Sequence, residues 1–143
     1  MLGANKAIYD STKAIACPYF KSEISLTSEG FSHLLYRSDT APRNVREQNL
    51  KVRLLKKALQ ILRVTNTVQE YRSSIEKFGS PAKDGFSKTK IVQYWAFNDL
   101  VFGTEHKYLI RVVVRKVGDG KLHFWSVMQA GKNKLYKDGI EDG

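Results

Sequence analysis

The clearest hydrophobic pattern in the chain runs from Lys107 to Gln129, KYLIRVVVRKVGDGKLHFWSVMQ, where two β-branched and aromatic stretches flank Gly118-Asp119-Gly120. An Asp-Gly pair supplies the positive φ angles of a tight turn, so the run predicts a β-hairpin. Two registers are open. If Asp119-Gly120 forms a two-residue turn, Gly118 faces Lys121, and Arg111, Val113 and Arg115 share a face with Phe124, Ser126 and Met128. If Gly118-Asp119-Gly120 forms a three-residue loop with a bulge, the same arginines share a face with His123 and Trp125. One register offers a hydroxyl beside the arginines, the other an imidazole. Upstream, Ile91, Trp95 and Phe97 alternate with Lys90, Val92 and Tyr94 from Thr89 onward, which predicts another strand. Asn98 to His106 reads as the turn that joins it to the hairpin.

The first half of the chain has helical spacing. Gly3 to Ala16 carries Ala4, Ile8 and Ile15 and stops ahead of Pro18, as a packing helix would. A short strand, Glu23 to Leu26, leads into Thr27-Ser28-Glu29, where a hydroxyl can accept the free amides of a helix running to about Arg37. Ser38 to Pro42 ends that helix, and Pro42 suits the first turn of the next. In the long helix, Arg43 to Leu62, an apolar arc of Val52, Leu54, Leu55, Ala58, Leu59, Ile61 and Leu62 opposes Arg46, Arg53, Lys56, Lys57 and Gln60. Val64 to Ile75 fits strand or helix, Glu76 to Lys88 reads as a loop, and Lys132 to Gly143 as a polar tail. The predicted fold is α+β, with N-terminal helices packed on a small antiparallel β-sheet that ends in the C-terminal hairpin. One domain is expected over residues 1–143: a packing helix in 1–20, a core over 22–129 and a tail over 130–143.

Charge changes the picture. Twenty-four Lys and Arg against 14 Asp and Glu give a formal net charge of +10, a field that concentrates polyanions. Residues 43–63 hold seven cations and one anion, Glu47, and residues 107–137 hold eight cations and one anion, Asp119. RNA is the leading expected partner, and an acidic antitoxin or inhibitor protein the next. No apolar run approaches the roughly 20 residues that span a bilayer, and the N-terminus lacks the apolar core of a secretory signal. The expectation is a cytoplasmic protein with no membrane partner. A single cysteine, Cys17, excludes an internal disulfide and is expected to be buried.

Three scattered histidines and one cysteine offer no metal-ligand spacing, and no phosphate-binding loop or nucleophile turn occurs. Neither metal nor cofactor is expected, which leaves acid–base chemistry. Glu29, His33 and Arg37 fall four residues apart, on one helix face. An imidazole can move a proton while a guanidinium holds a phosphate, as attack by an RNA 2′-hydroxyl on its own phosphodiester requires. Arg111 and Arg115 could complete such a site with Ser126 or with His123, according to the hairpin register. Trp95 and Trp125 are expected in the core, with stacking on bases as the functional alternative.

The run ISLTSEGFSHLLYR (Ile24 to Arg37), the long helix, and then IVQYWAF, YLIRVVVRK and LHFWSVM resemble the phage- and toxin-associated branch of the barnase–EndoU–colicin–RelE-like ribonucleases, over about residues 22–129. The resemblance implies a metal-independent endoribonuclease, toxin-like or phage-derived, that cleaves RNA by 2′-hydroxyl transesterification. It implies His33 as the helix histidine, Arg37 as a phosphate ligand, Arg111 as the basic position of the central strand and Ser126 as the hydroxyl of the last strand, which favours the two-residue turn. Arg46, Arg53, Lys57, Lys90 and Arg115 are expected to supply salt-sensitive attraction to RNA. Two rival readings are a non-catalytic nucleic-acid-binding module and an interaction domain that docks an acidic protein.

Overall fold

A computed structural model describes residues 2–38, 41–79, 83, 85–86, 88–102 and 107–130; the predicted polar tail and His106 lie outside them. The chain runs α1 (Leu2–Thr12), β1 (Ala14–Cys17), β2 (Ser22–Ser25), α2 (Ser28–Leu35), β3 (Tyr36–Ser38), β4 (Ala41–Pro42), α3 (Val45–Val64), β5 (Glu70–Phe78), β6 (Lys88–Phe102), β7 (Lys107–Val117) and β8 (His123–Ala130). The class is α+β, with three helices and a six-stranded sheet of order β1-β2-β8-β7-β6-β5 among the described residues.

The apolar arc of α3 organises the core. Asn44 caps the helix, its side chain accepting a bond from the Glu47 amide at 2.8 Å. Val52, Leu55, Ala58, Leu59 and Leu62 bury themselves against Phe97, Ile110, Val112, Val114, Phe124 and Val127 of the sheet. Burial of each leucine stabilises the fold by about 2 kcal/mol. Tyr9 of α1 and Phe31 and Leu34 of α2 close this core. The Tyr9 hydroxyl donates to the Thr27 carbonyl at 2.6 Å, and burial pushes its pKa well up, so it remains a donor. Cys17 is buried as expected.

The opposite face of the sheet carries Val92, Tyr94, Ala96 and Val113, with Phe78, Val117 and Trp125 packed beside them. Arg111 and Arg115 lie on this face, since alternate residues of β7 share a side.

The hairpin adopts both anticipated registers in succession. Near the turn Arg115 pairs with His123 and Val114 with Phe124; beyond an irregularity Val113 pairs with Ser126 and Arg111 with Met128. Trp125 is the extra residue, a β-bulge. The turn half follows the three-residue register and the far half the two-residue register. Hence His123, Trp125 and Ser126 all accompany the arginines, whereas Phe124 enters the helix-side core.

Several boundaries differ from the sequence reading. The first helix stops at Thr12, because Lys13 takes φ +61°, and Ala14–Cys17 becomes a strand paired with Ser22–Ser25. The second helix stops at Leu35; Tyr36–Ser38 pairs with Ala41–Pro42, so Pro42 belongs to a strand and not to the next helix. The ambiguous segment splits into the end of α3 and strand β5. Strand β6 continues to Phe102 through the predicted turn, because its residues pair with β7 as far as Phe102–Lys107. The sheet is mixed and not purely antiparallel: β2 runs parallel to β8 at Ser25–His123.

Beyond Ser25 the chain leaves the sheet and α2 takes over along β8. Gly30 makes this approach possible, since a Cβ there would lie 2.2 Å from the Phe124 carbonyl oxygen and 2.9 Å from the Tyr9 hydroxyl. Backbone cannot yield as a flexible side chain would. Gly30→Ala is therefore expected to cost about 3 kcal/mol, measured by urea unfolding followed by circular dichroism.

Candidate functional site

Trp125 is the centre of the arginine face. The bulge turns its ring onto that face, where the His33 ring stacks on it at 4.2 Å and 17°. The guanidinium carbon of Arg115 lies 4.1 Å from the same ring centroid, a cation–π contact of about 1–2 kcal/mol in so buried a setting. His123 meets the ring edge-on at 6.0 Å. Glu29, one turn before His33 on α2, approaches Arg115 Nη1 at 3.9 Å.

A cleft of about 430 Å³ opens beside this cluster, lined by Ser25, Thr27 and Ser28 at the start of α2, by Glu29, and by Lys90, Arg115, Lys121 and His123 from the sheet and hairpin. Three cations and one carboxylate leave it net positive. Thr27 uses its hydroxyl to accept from the Gly30 amide at 3.2 Å, which anchors the helix terminus at the cleft wall, where the helix dipole adds positive potential. The Ser25 amide donates to the Leu122 carbonyl at 2.9 Å and ties the other wall to the hairpin.

His123 is buried. Its Nδ1 lies 3.4 Å from the Lys121 carbonyl; a carbonyl only accepts, so Nδ1 carries the hydrogen and Nε2 the lone pair. Burial lowers the His123 pKa below the ordinary 6.5; the Lys121 carbonyl partly opposes this and the Arg115 charge adds to it. The neutral ring therefore prevails at neutral pH. His123 Nε2 and Arg115 Nε are both buried without a hydrogen-bond partner among the described residues. Leaving such groups unpaired costs about 1–3 kcal/mol each, and such costs gather at functional sites.

The residues singled out from sequence divide. Arg115 and Lys90 reach the cleft, and Glu29 and His33 reach the Trp125 cluster. Arg111 does not reach the cleft: it is 1% exposed and ion-paired with Glu70 Oε2 at 2.6 Å. Its charge sits between strands, where an unpaired guanidinium would be prohibitive. Ser126 is fully buried and lies 3.5 Å from Lys51 Nζ, which donates to the Val127 carbonyl at 2.8 Å. The Arg37 side chain lies outside the described residues. Arg46, Arg53 and Lys57 are exposed on α3, but that helix packs its apolar arc on the other face of the sheet, so its basic side turns away from the cleft. The long helix and the hairpin therefore do not frame one groove.

A second polar cluster joins α2, α3 and β8. Arg43, 4% exposed, donates from Nε to the His33 carbonyl at 3.0 Å, pairs with Glu47 at 2.7 Å and places Nη2 3.4 Å from His33 Nε2. A guanidinium only donates, so this contact calls for a lone pair on His33 Nε2. Arg43, Glu47 and Lys51 are spaced four apart, a stripe visible in the sequence. Trp125 left no such signal, because its direction depends on the bulge. Trp95 does join the helix-side core, stacking edge-on with Phe20 at 5.1 Å. Among the described residues no group of His, Cys, Asp and Glu could hold a metal ion, and no helix is long and apolar enough to cross a membrane.

The lowered His123 pKa carries a stability signature. The unfolded chain takes up a proton near pH 6.5, the folded chain only at lower pH, so the unfolded state binds more protons between the two. This contribution is full above pH 6.5 and is lost as the pH falls through that window. Urea unfolding at pH values from about 7 to 5 should show stability falling, with a shallower slope in His123→Phe. No family model, curated protein or solved structure matches the chain.

Proposed function

We propose that the chain is a metal-independent endoribonuclease, toxin-like or phage-derived, acting at the cleft beside Trp125. The supporting observation is the meeting of a neutral imidazole, His123, with Arg115, Lys90 and Lys121 around one opening. In this reading the phosphodiester enters between the cations. His123 Nε2 accepts the 2′-hydroxyl proton as the 2′-oxygen attacks phosphorus, and the bond to the 5′-oxygen breaks as that oxygen takes a proton from water, leaving a 2′,3′-cyclic phosphate and a 5′-hydroxyl; the His123 imidazolium then returns its proton to the hydroxide so formed. Arg115, Lys90 and Lys121 stabilise the charge on the phosphorane. Glu29 holds Arg115 in place, and His33 supports the Trp125 ring as a positioning residue. Ser126 and Arg111 serve the sheet from buried positions instead of touching RNA.

The burial of both imidazoles favours a second reading, a nucleic-acid-binding module that grips phosphates without cleaving them. Catalytic groups can be recessed before substrate arrives, so the two readings part on turnover. Total RNA and transfer RNA incubated with the protein in EDTA should be cut, and His123→Ala and Arg115→Ala should each slow cutting by about 10²-fold or more. Arg53→Ala, on the far side of the sheet, should leave the rate unchanged. Intact but retarded RNA on a native gel would favour the binding module. Failure to bind at low salt would reject both and leave an acidic protein as the partner.

A further inference from the structure

Strand β5 ends the sheet and pairs with β6 alone among the described residues. Such an edge presents a row of backbone donors and acceptors. Beside it stands an apolar pair: Ile75 and Ile91 face each other across β5 and β6, and they are 75% and 56% exposed. Tyr71, half exposed, continues the strip. These residues lie on the same side of the sheet as α3 but beyond its reach. Glu76, on the other side, is fixed by the Tyr94 and Ser74 hydroxyls, each 3.0 Å from Oε2.

The β5 sequence, EYRSSIEKF, is complementary to itself when antiparallel about Ser74. That register sets Arg72 against Glu76 of a second copy, twice by symmetry, and Tyr71 against Lys77. Sliding the two strands by one pairing step toward the N-terminus would set Glu70 against Glu76; the opposite step would set Arg72 against Phe78. Of these three registers, the one about Ser74 alone opposes unlike charges. It also keeps equivalent faces together and brings Ile75 of one copy diagonally beside Ile75 of the other, so that four isoleucines form one apolar ribbon across the junction.

We propose that β5 is a homodimerisation edge: two copies pair antiparallel about Ser74 into one continuous sheet, locked by reciprocal Arg72–Glu76 ion pairs over an Ile75–Ile91 ribbon. The arrangement is symmetric and closed, as most soluble homo-oligomers are. It rests on observations other than those behind the ribonuclease reading: Phe78, the last residue of β5, lines the cleft, while Arg72, Ile75 and Glu76 do not.

Sedimentation velocity as a function of protein concentration tests it. The wild-type chain should move from the mass of one chain to that of two as concentration rises. Ile75→Lys, at an exposed position, should abolish the shift. Arg72→Glu and Glu76→Arg should each remain single, since each sets like charges opposite one another, yet an equimolar mixture of the two should recover the two-chain mass, because every facing pair is again unlike. A wild-type chain that stays single at all concentrations would overturn the proposal. So would a dimer that survives Ile75→Lys, or two charge variants, folded by circular dichroism, that do not associate when mixed.

Discussion

One extra residue in β8 sets which side chains share the arginine face of the sheet. Had Trp125 been paired in an unbroken ladder, either Ser126 or His123 would share the arginine face, but not both, because side chains alternate strictly along a strand. The bulge breaks that alternation. It leaves Phe124 and Val127 in the helix-side core while His123, Trp125 and Ser126 stay with Arg115 and Arg111. The core and the candidate site are thus built from the same eight-residue strand without either displacing the other.

The second constraint is the cost of burying charge. Arg111, Arg43 and Lys51 are all nearly inaccessible, and each has acquired a partner: Glu70, Glu47 with the His33 carbonyl, and the Val127 carbonyl. Removing one member of such a pair costs about 3–5 kcal/mol, so these cations are committed to the fold. Arg115 differs. Its closest carboxylate, Glu29, is 74% exposed and 3.9 Å away, and its main contacts are the Trp125 and Tyr94 rings. An aromatic face steadies a guanidinium without neutralising it, which leaves its charge available to an anion.

Position also separates the two basic regions that the sequence places side by side in importance. The exposed cations of α3 and those of the hairpin are divided by the sheet, since α3 buries its apolar arc on one face while Arg115 and His123 occupy the other. Only Lys51, on the flank of α3 near the end of the sheet, turns inward to reach β8. Gly30 has the complementary role at the same edge, admitting α2 close enough to bring Glu29 and His33 over the strand.

From the residues themselves one could read the α+β class, the long helix with its apolar arc, the Thr27 cap, the hairpin and the excess of cations, because each depends on local spacing and composition. The arginines of β7 and the turn at Gly118-Asp119-Gly120 were legible too. The bulge at Trp125 was not, since an extra residue shows only in how β8 pairs with β7. Nor could periodicity show that Arg111 would meet Glu70, forty-one residues away, or that Arg53 and Lys57 would face away from the hairpin. Local pattern determined which residues lie on which element; long-range burial decided which charges were neutralised within the fold and which were left at the cleft.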